Sequence, residues 1–208
     1  MQVEPMLPEH AKTLEKLQRI IFPTLLPEER LRAEQYQCHL TVFPEGQFVL
    51  TTREGLSKQV IGMTTTQRTD FDFSDHQHSF SETSGGGWLS RHRRDGTWLY
   101  GLDMGILPAY RGRGGARLLY RARQLLVHRL GLRGQLTVGM MNGYGPVSET
   151  LDGETYYRQW LEGRRQDPTL TPQRNIGFEP LGLIPDYLHD PACGNYGVLL
   201  RLDAEKEV

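Results

Sequence analysis

"AYRGRGGARLLYRARQ", Ala109–Gln124, is the stretch whose reading decides the fold. Glycine and arginine crowd its first half, and leucines at helical spacing fill its second. Three partners suit such a turn: RNA on an arginine–glycine tail, the phosphates of a nucleotide, or the pyrophosphate of an acyl-coenzyme. An RNA-binding tail is disordered and repeats its motif, whereas this one occurs once and runs straight into an apolar-periodic segment. A P-loop ends in Gly-Lys-Ser/Thr, whose lysine and hydroxyl hold phosphate and magnesium; here Gly114-Gly115 is followed by Ala116 and Arg117. A dinucleotide turn needs G-x-G-x-x-G, and its third glycine position holds Arg117. What survives is a helix N-terminus that offers free backbone N–H groups to an anion. Gly112, Gly114 and Gly115 let a ligand approach the main chain with no Cβ in between. Arg111 and Arg113 add charge, and Arg117 and Arg121 continue it along the helix.

The flanks agree. "TWLYGLDMGIL" (97–107) reads as a strand stopped by Pro108. After the loop, Leu118, Ala122, Leu125, Leu126 and Leu130 form an apolar stripe, with Arg117, Arg121, Gln124 and His128 on another face. That is an amphipathic helix of about four to five turns, ended by Gly131 and followed by the strand "QLTVGMM" (135–141). Strand, glycine turn, helix, strand is a βαβ-like unit, so its two strands should be near-parallel.

Outward from this unit, "PEHAKTLEKLQRIIF" (8–22) places Ala11, Leu14, Leu17 and Ile21 on one helical face, and a second helix is expected from Pro27 through Leu40. "QFVLTTRE" and "KQVIGMTTTQR" read as a hairpin joined by the turn "EGLSK" (54–58). Residues 69–96 lack periodicity; His76, His78, His92, Asp72 and Asp75 match no zinc spacing there, and a solvated polar loop is expected. From 142 to 174 the chain is irregular, with a helix expected at "ETYYRQWLEGRR" (154–165), before closing strands "FEPLGLI" and "YGVLLRLD". There are no internal repeats and no linker rich in proline or serine, so residues 1–208 read as a single domain.

The totals limit the partners. Of 208 residues, 38% are hydrophobic and 24% charged, with a formal net charge of −1, so no global field recruits nucleic acid or an anionic membrane. Yet Arg91, Arg93, Arg94, Arg111, Arg113, Arg117, Arg121, Arg123, Arg129 and Arg133 meet only Asp95 and Asp103 across their span. A local basic segment in a near-neutral chain points to a discrete anionic ligand. Cys38 and Cys193 have no metal-ligand spacing and read as reduced thiols. "MQVEPMLPEH" is no signal peptide, and no apolar run nears the ~20 residues of a bilayer span, so a cytoplasmic protein is expected.

The run Arg111-Gly112-Arg113-Gly114-Gly115-Ala116 resembles the Q/R-x-x-G-x-G/A signature of the GNAT superfamily of N-acetyltransferases, and "GILPAY" looks like that family's approach to the loop. The order of elements from residue 1 to 202 is similar too. The chain most resembles the acetyltransferase domain that some bacterial proteins carry fused to a carbon–nitrogen hydrolase. The resembling segments are "GGGWLSRHRRDGTWLYGLDMGILPAYRGRG" (85–114), "NGY" (142–144) and "NIGFEPLGLIPDYLHD" (175–190). No hydrolase follows, so a stand-alone version is expected. The resemblance implies an α+β fold: a mixed, mostly antiparallel sheet of six to seven strands, splayed between two near-parallel central strands and flanked by helices.

It also implies acetyl-CoA, or another acyl-CoA, as cosubstrate with no metal, entering where the strand at 97–107 splays from that at 135–141. Main-chain groups of Met104, Gly105 and Ile106 would bond the pantetheine and acyl carbonyl, and backbone amides of Arg111, Gly112, Arg113, Gly114, Gly115 and Ala116 the pyrophosphate. Asn142 stands where relatives have an asparagine that contacts the coenzyme. The acceptor would be the amine of a small molecule or peptide, with neither nucleic acid nor membrane as partner; a homodimer is compatible with this reading. An alkylamine of pKa ~10.4 must lose a proton to attack, and Asp103 is the expected base. Relatives often place an acidic tyrosine four residues before Gly177-Phe178; here that position is Gln173, so Tyr144 is the expected acid, with Tyr187 and Tyr157 behind it. The departure at Gln173 keeps an alternative open: an acyl-CoA-binding module without turnover. Asp70, Asp72, Asp75 and Glu82 could favour a cationic acceptor, whose identity the sequence leaves open.

Overall fold

The computed structural model of the chain describes every residue except Leu56, and of Glu54 only the backbone. Seven strands form one sheet: β1 (Gln2–Pro5), β2 (Phe48–Glu54), β3 (Ser57–Thr69), β4 (Trp98–Ile106), β5 (Gly134–Met140), β6 (Glu179–Ile184) and β7 (Gly197–Asp203), in the order β1-β2-β3-β4-β5-β7-β6. Every neighbouring pair is antiparallel except β4 and β5, which are parallel as the βαβ reading requires. The hairpin of β2 and β3 forms as expected, while part of its turn, at Leu56, lies outside the described residues.

Helices cover both faces. α1 (Ala11–Ile21) buries Ala11, Leu14, Leu17, Gln18 and Ile21, which with α2 (Ala33–Val42) close one face over Val49, Met63 and Leu199. The short α3 (Phe80–Ser84) lies within the long 69–96 segment and packs Phe80 on the same cluster. α4 (Gly115–Leu130), α5 (Gly153–Leu161) and α6 (Leu170–Ile176) cover the other face, over Leu50, Ile61, Val198 and Leu200. Each leucine so enclosed contributes roughly 1.5–3 kcal/mol.

Four details depart from the sequence reading. The second helix starts at Ala33 rather than Pro27, because Arg32 is extended (ψ 164°) and its N–H is held by the Gln35 side chain at 2.8 Å. β1 was not foreseen: four residues ending in proline carry no period, and pairing with β2 makes them a strand. α6 was also missed; its start is fixed by Asp167 Oδ1, which accepts from the N–H groups of Thr169 (2.7 Å) and Leu170 (2.8 Å). The buried face of α4 is Gly115, Leu119, Tyr120, Arg123, Gln124, Leu126 and Val127, whereas Leu125 is 60% exposed. Gly115 seats against Leu50 and Ile106 and so fixes the rotation, turning positions four apart inward, polar or not.

Candidate active site

β4 and β5 pair only over Leu99–Gly101 and Gln135–Thr137, then part. On its other edge β4 stays paired with β3 as far as Ile106. The register slips there: Thr65 faces Asp103 but Thr66 faces Gly101, so Leu102 is the extra residue of a bulge at the head of the split. Ladder alternation then decides which main-chain groups face the gap. The Leu107 N–H donates to Ile61 O (2.8 Å), so Gly105 pairs with Met63 of β3, while Met104 and Ile106 turn their main-chain edges to the split. The expected trio therefore divides. Gly105 serves instead as a close approach, since a Cβ on it would lie 2.6 Å from Ile21 Cγ2 of α1.

The glycine loop follows at once. Gly112 (φ +71°) and Gly114 (φ +83°) adopt left-handed conformations, and a Cβ on either would meet no atom within 4 Å. Their glycines are required by the turn, and the space over them is open. The Leu118 N–H is the first to find its helical acceptor, Gly114 O (3.2 Å), leaving the N–H groups of Gly115, Ala116 and Arg117 at the helix start without helical partners. Gly115 serves packing: a Cβ would lie 2.7 Å from Leu50 Cδ2 and 3.0 Å from Ile106 Cδ1. Arg111 braces the turn, its Nε donating to Ile106 O (3.0 Å) and its Nη2 to Ile21 O (3.3 Å). The Arg113 guanidinium lies 5.5 Å from the centre of the Tyr110 ring. This cradle suits a diphosphate: amide donors, a helix dipole and local arginines around an unobstructed surface.

Asp103 leaves the bulge on the α1–α2 face. Its Oδ2 accepts from Gln18 Nε2 (2.7 Å) and from the Tyr36 hydroxyl (3.2 Å), and the same Gln18 nitrogen lies 2.6 Å from that hydroxyl. Burial pushes the carboxyl up to about 6, against the opposing pull of Tyr36, Gln18 and the Arg123 cation. Burial also holds the Tyr36 phenol well above its ordinary range, so it stays a donor. Part of the Asp103 residue remains accessible while its carboxyl is enclosed. A carboxylate raised to about 6, on the strand that borders the split, is matched to taking a proton from an amine.

Asn142 and Tyr144 follow the end of β5. Asn142 Nδ2 donates to Thr169 Oγ1 (2.7 Å). The Tyr144 ring packs edge-on to Tyr156 and Tyr196, both at 5.5 Å, and the Asp103 carboxyl makes its hydrogen bonds with Gln18 and Tyr36 instead. Gln173 is buried, and its Nε2 donates to the Tyr120 hydroxyl (2.7 Å), which places a phenol from α4 beside the position where tyrosine was expected. Sequence reasoning missed Gln18, Tyr36, Tyr120 and Arg123. The only signal was a polar residue interrupting a buried stripe, as Gln18 does among Leu14, Leu17 and Ile21. Among the described residues, no group of three His, Cys, Asp or Glu could hold a metal, and no helix is long and apolar enough to cross a membrane.

The fold as a whole recurs in known proteins. The GNAT-like decarboxylase GphF, solved in complex with isobutyryl-CoA, superposes with a TM-score of 0.76 at 22% identity, over 99% of this chain and all of that one. The chain thus has a GNAT-like fold. No protein-family model matches it. Two curated relatives come from Bacillus subtilis (strain 168). The probable hydrolase YhcX is 32% identical over 186 residues, 89% of this chain but only 35% of YhcX. The uncharacterized N-acetyltransferase YkwB is 28% identical over 186 residues, 89% of this chain and 80% of YkwB. A match to about a third of a protein named a hydrolase agrees with the resemblance to a hydrolase-fused domain.

Proposed function

We propose that the chain is an acyl-CoA-dependent N-acyltransferase, passing an acetyl or other acyl group directly to a primary amine. The carrying observation is the juxtaposition at the split: main-chain edges of Met104 and Ile106, the open helix start at Gly115–Arg117, and a carboxyl near pKa 6 on the opposite face. In this reading the amides of Gly112–Ala116 hold the pyrophosphate, the expected Arg111 N–H being bonded to Pro108 O (3.2 Å), and Asn142 adds a contact beyond β5. The Met104 main chain orients the thioester carbonyl and polarises it as charge develops on its oxygen. Asp103 takes the ammonium proton, the amine nitrogen bonds the acyl carbon, and the C–S bond breaks. Tyr144, whose phenol burial keeps protonated, supplies the proton to the departing thiolate, and the second proton, which the nitrogen sheds as the amide forms, restores that phenol through solvent.

The acceptor side of the reading rests on a cavity of about 340 Å³ on the Asp103 face, lined by Asp75, His78, Glu82, Arg91, Phe71 and Tyr100. Asp75 and Glu82 are the carboxylates that line this space, although Asp75 also accepts from the Gln77 N–H (3.2 Å) and one oxygen of Glu82 from the Ser79 N–H and hydroxyl (both 2.8 Å). Two carboxylates over an aromatic floor suit a cationic amine. The test is thiol release from acetyl-, propionyl- and malonyl-CoA across amine classes, with carbon dioxide followed in parallel. Amine-dependent thiol release supports the reading. Amine-independent carbon dioxide release would favour a decarboxylase, which GphF is named. Binding without either product would favour a module without turnover, the reading that Gln173 keeps open.

A further inference from the structure

Arg123 was counted with the basic cluster around the glycine loop, yet it is 1% exposed. Its guanidinium lies under β4 beside Gly101, where a Cβ would fall 2.1 Å from Nη1. Nη2 reaches two carbonyl oxygens, Thr65 O at 3.4 Å and Asp103 O at 3.3 Å, and these belong to the residues that face each other across the bulge. Thr64 Oγ1 donates to the same Asp103 carbonyl at 2.8 Å. The Tyr120 ring covers the cation at 5.3 Å. Nε and Nη1 are buried with no hydrogen-bond partner, and no carboxylate oxygen lies within 4 Å among the described residues.

Enclosing a cation without a paired carboxylate is costly, and most folds avoid it. Burial brings this guanidinium down to about 10. The place it occupies is specific: the last β4–β5 pair, Gly101 with Thr137, marks the head of the split, and Arg123 sits under it. A bulge leaves ladder carbonyls without regular partners, and a guanidinium fork can serve two at once.

We propose that Arg123 is a positioning residue for acyl transfer: it braces the β4 bulge from beneath, and its charge favours the ionised form of Asp103 across the strand. The bulge in turn aims the Met104 main chain into the split and Asp103 out of the opposite face. The Asp103 carboxyl is contacted by Gln18 from α1 and Tyr36 from α2, with the Met104 N–H also favouring its ionised form, and Arg123 of α4, acting through the strand, is the one permanent charge among these groups. The kinetic half of the inference rests on the acyl-transfer reading; the electrostatic half does not.

The experiment compares the full chain with Arg123→Met, Arg123→Lys and Gly101→Ala. The last keeps the arginine but displaces it. Carboxyl titration is followed by NMR on carbon-13-labelled aspartate, with Asp103 assigned by its loss in Asp103→Asn. Arg123→Met is expected to raise the Asp103 midpoint by about one unit or more, with Lys in between. It should lower kcat about 100-fold, as for a reacting group misplaced by ~1 Å, while KM for acyl-CoA stays within about threefold. Gly101→Ala should reproduce both effects, and combining it with Arg123→Met should add little. If Arg123→Met does not fold, Gly101→Ala decides alone. An unchanged Asp103 midpoint overturns the inference, and so does a loss confined to acyl-CoA affinity. If the wild-type chain transfers no acyl group, the proposed function fails while the titration still judges Arg123.

Discussion

Gln18 Nε2 lies 2.7 Å from Asp103 Oδ2, joining the middle of α1 to the bulge of β4. This contact turns a polar residue in a buried helical stripe into a hydrogen-bond donor to the enclosed carboxyl. The carboxyl titrates near 6 when folded, against an ordinary 3.8. Between those values the folded chain binds the extra proton, so stability falls as pH rises through the window and stays lower above it. Asp103→Asn removes that loss. It should melt higher than wild type at pH 7 by a few kcal/mol, at ~1.4 kcal/mol per pKa unit, and lose this advantage at pH 4. Its kcat should drop roughly 10²–10⁴-fold, the usual share of a general base. Melting curves from pH 4 to 8 check the first point, and identical pH dependence in both proteins would refute it.

In the wild type, kcat should climb as pH rises through about 6, where the Asp103 carboxyl ionises, and then level. A profile flat from pH 5 to 8 would remove Asp103 from the reaction.

Adjacent glycines of the loop should fail in different ways. Gly114→Trp places a bulky ring in the open space above the helix start and strains a φ of +83°. It should raise the Kd for CoA tenfold or more, with destabilisation of only ~1–2 kcal/mol from the left-handed backbone. Gly115→Ala should instead cost about 1–3 kcal/mol of stability through overpacking against Leu50 and Ile106. Calorimetric binding paired with thermal melts separates the two, and unchanged CoA affinity in Gly114→Trp would end the cradle assignment.

The proposed reaction needs a proton for its leaving thiolate, and two phenols are candidates for it. Tyr144 is the proposed donor, while Tyr120 stands 2.7 Å from the Gln173 amide. Tyr144→Phe should lower kcat about 10²-fold or more with CoA affinity kept, and Tyr120→Phe should act mainly on stability. The opposite pattern in steady-state kinetics would transfer the role to Tyr120.

Acceptor charge is read at the cavity. Asp75→Asn and Glu82→Gln should each raise KM for a cationic amine several-fold, an effect that added salt diminishes. Competition experiments with diamines and neutral amines measure it; equal effects on both classes would place the acceptor elsewhere.

Much of this molecule was legible in its residues. Glycine and proline punctuation, the Pro108 stop and the βαβ order gave the parallel pair and the open helix start, because those properties are local. The apolar stripe of α1 was equally plain. Less legible were β1 and α6, short segments that become regular only when β2 or Asp167 supplies the missing hydrogen bonds.

Sequence by itself determined the glycine turn, the open helix start and the order of the strands on either side, since a turn with positive φ can be read from glycines. Tertiary structure alone decided which face of α4 is buried, where the β4 bulge falls and what surrounds Asp103. Each depends on partners far apart in the chain: Gly115 on Leu50, Arg123 on Gly101, and Gln18 with Tyr36 on Asp103. A carboxyl's proton affinity is set by the medium that encloses it, and only the folded chain provides that medium.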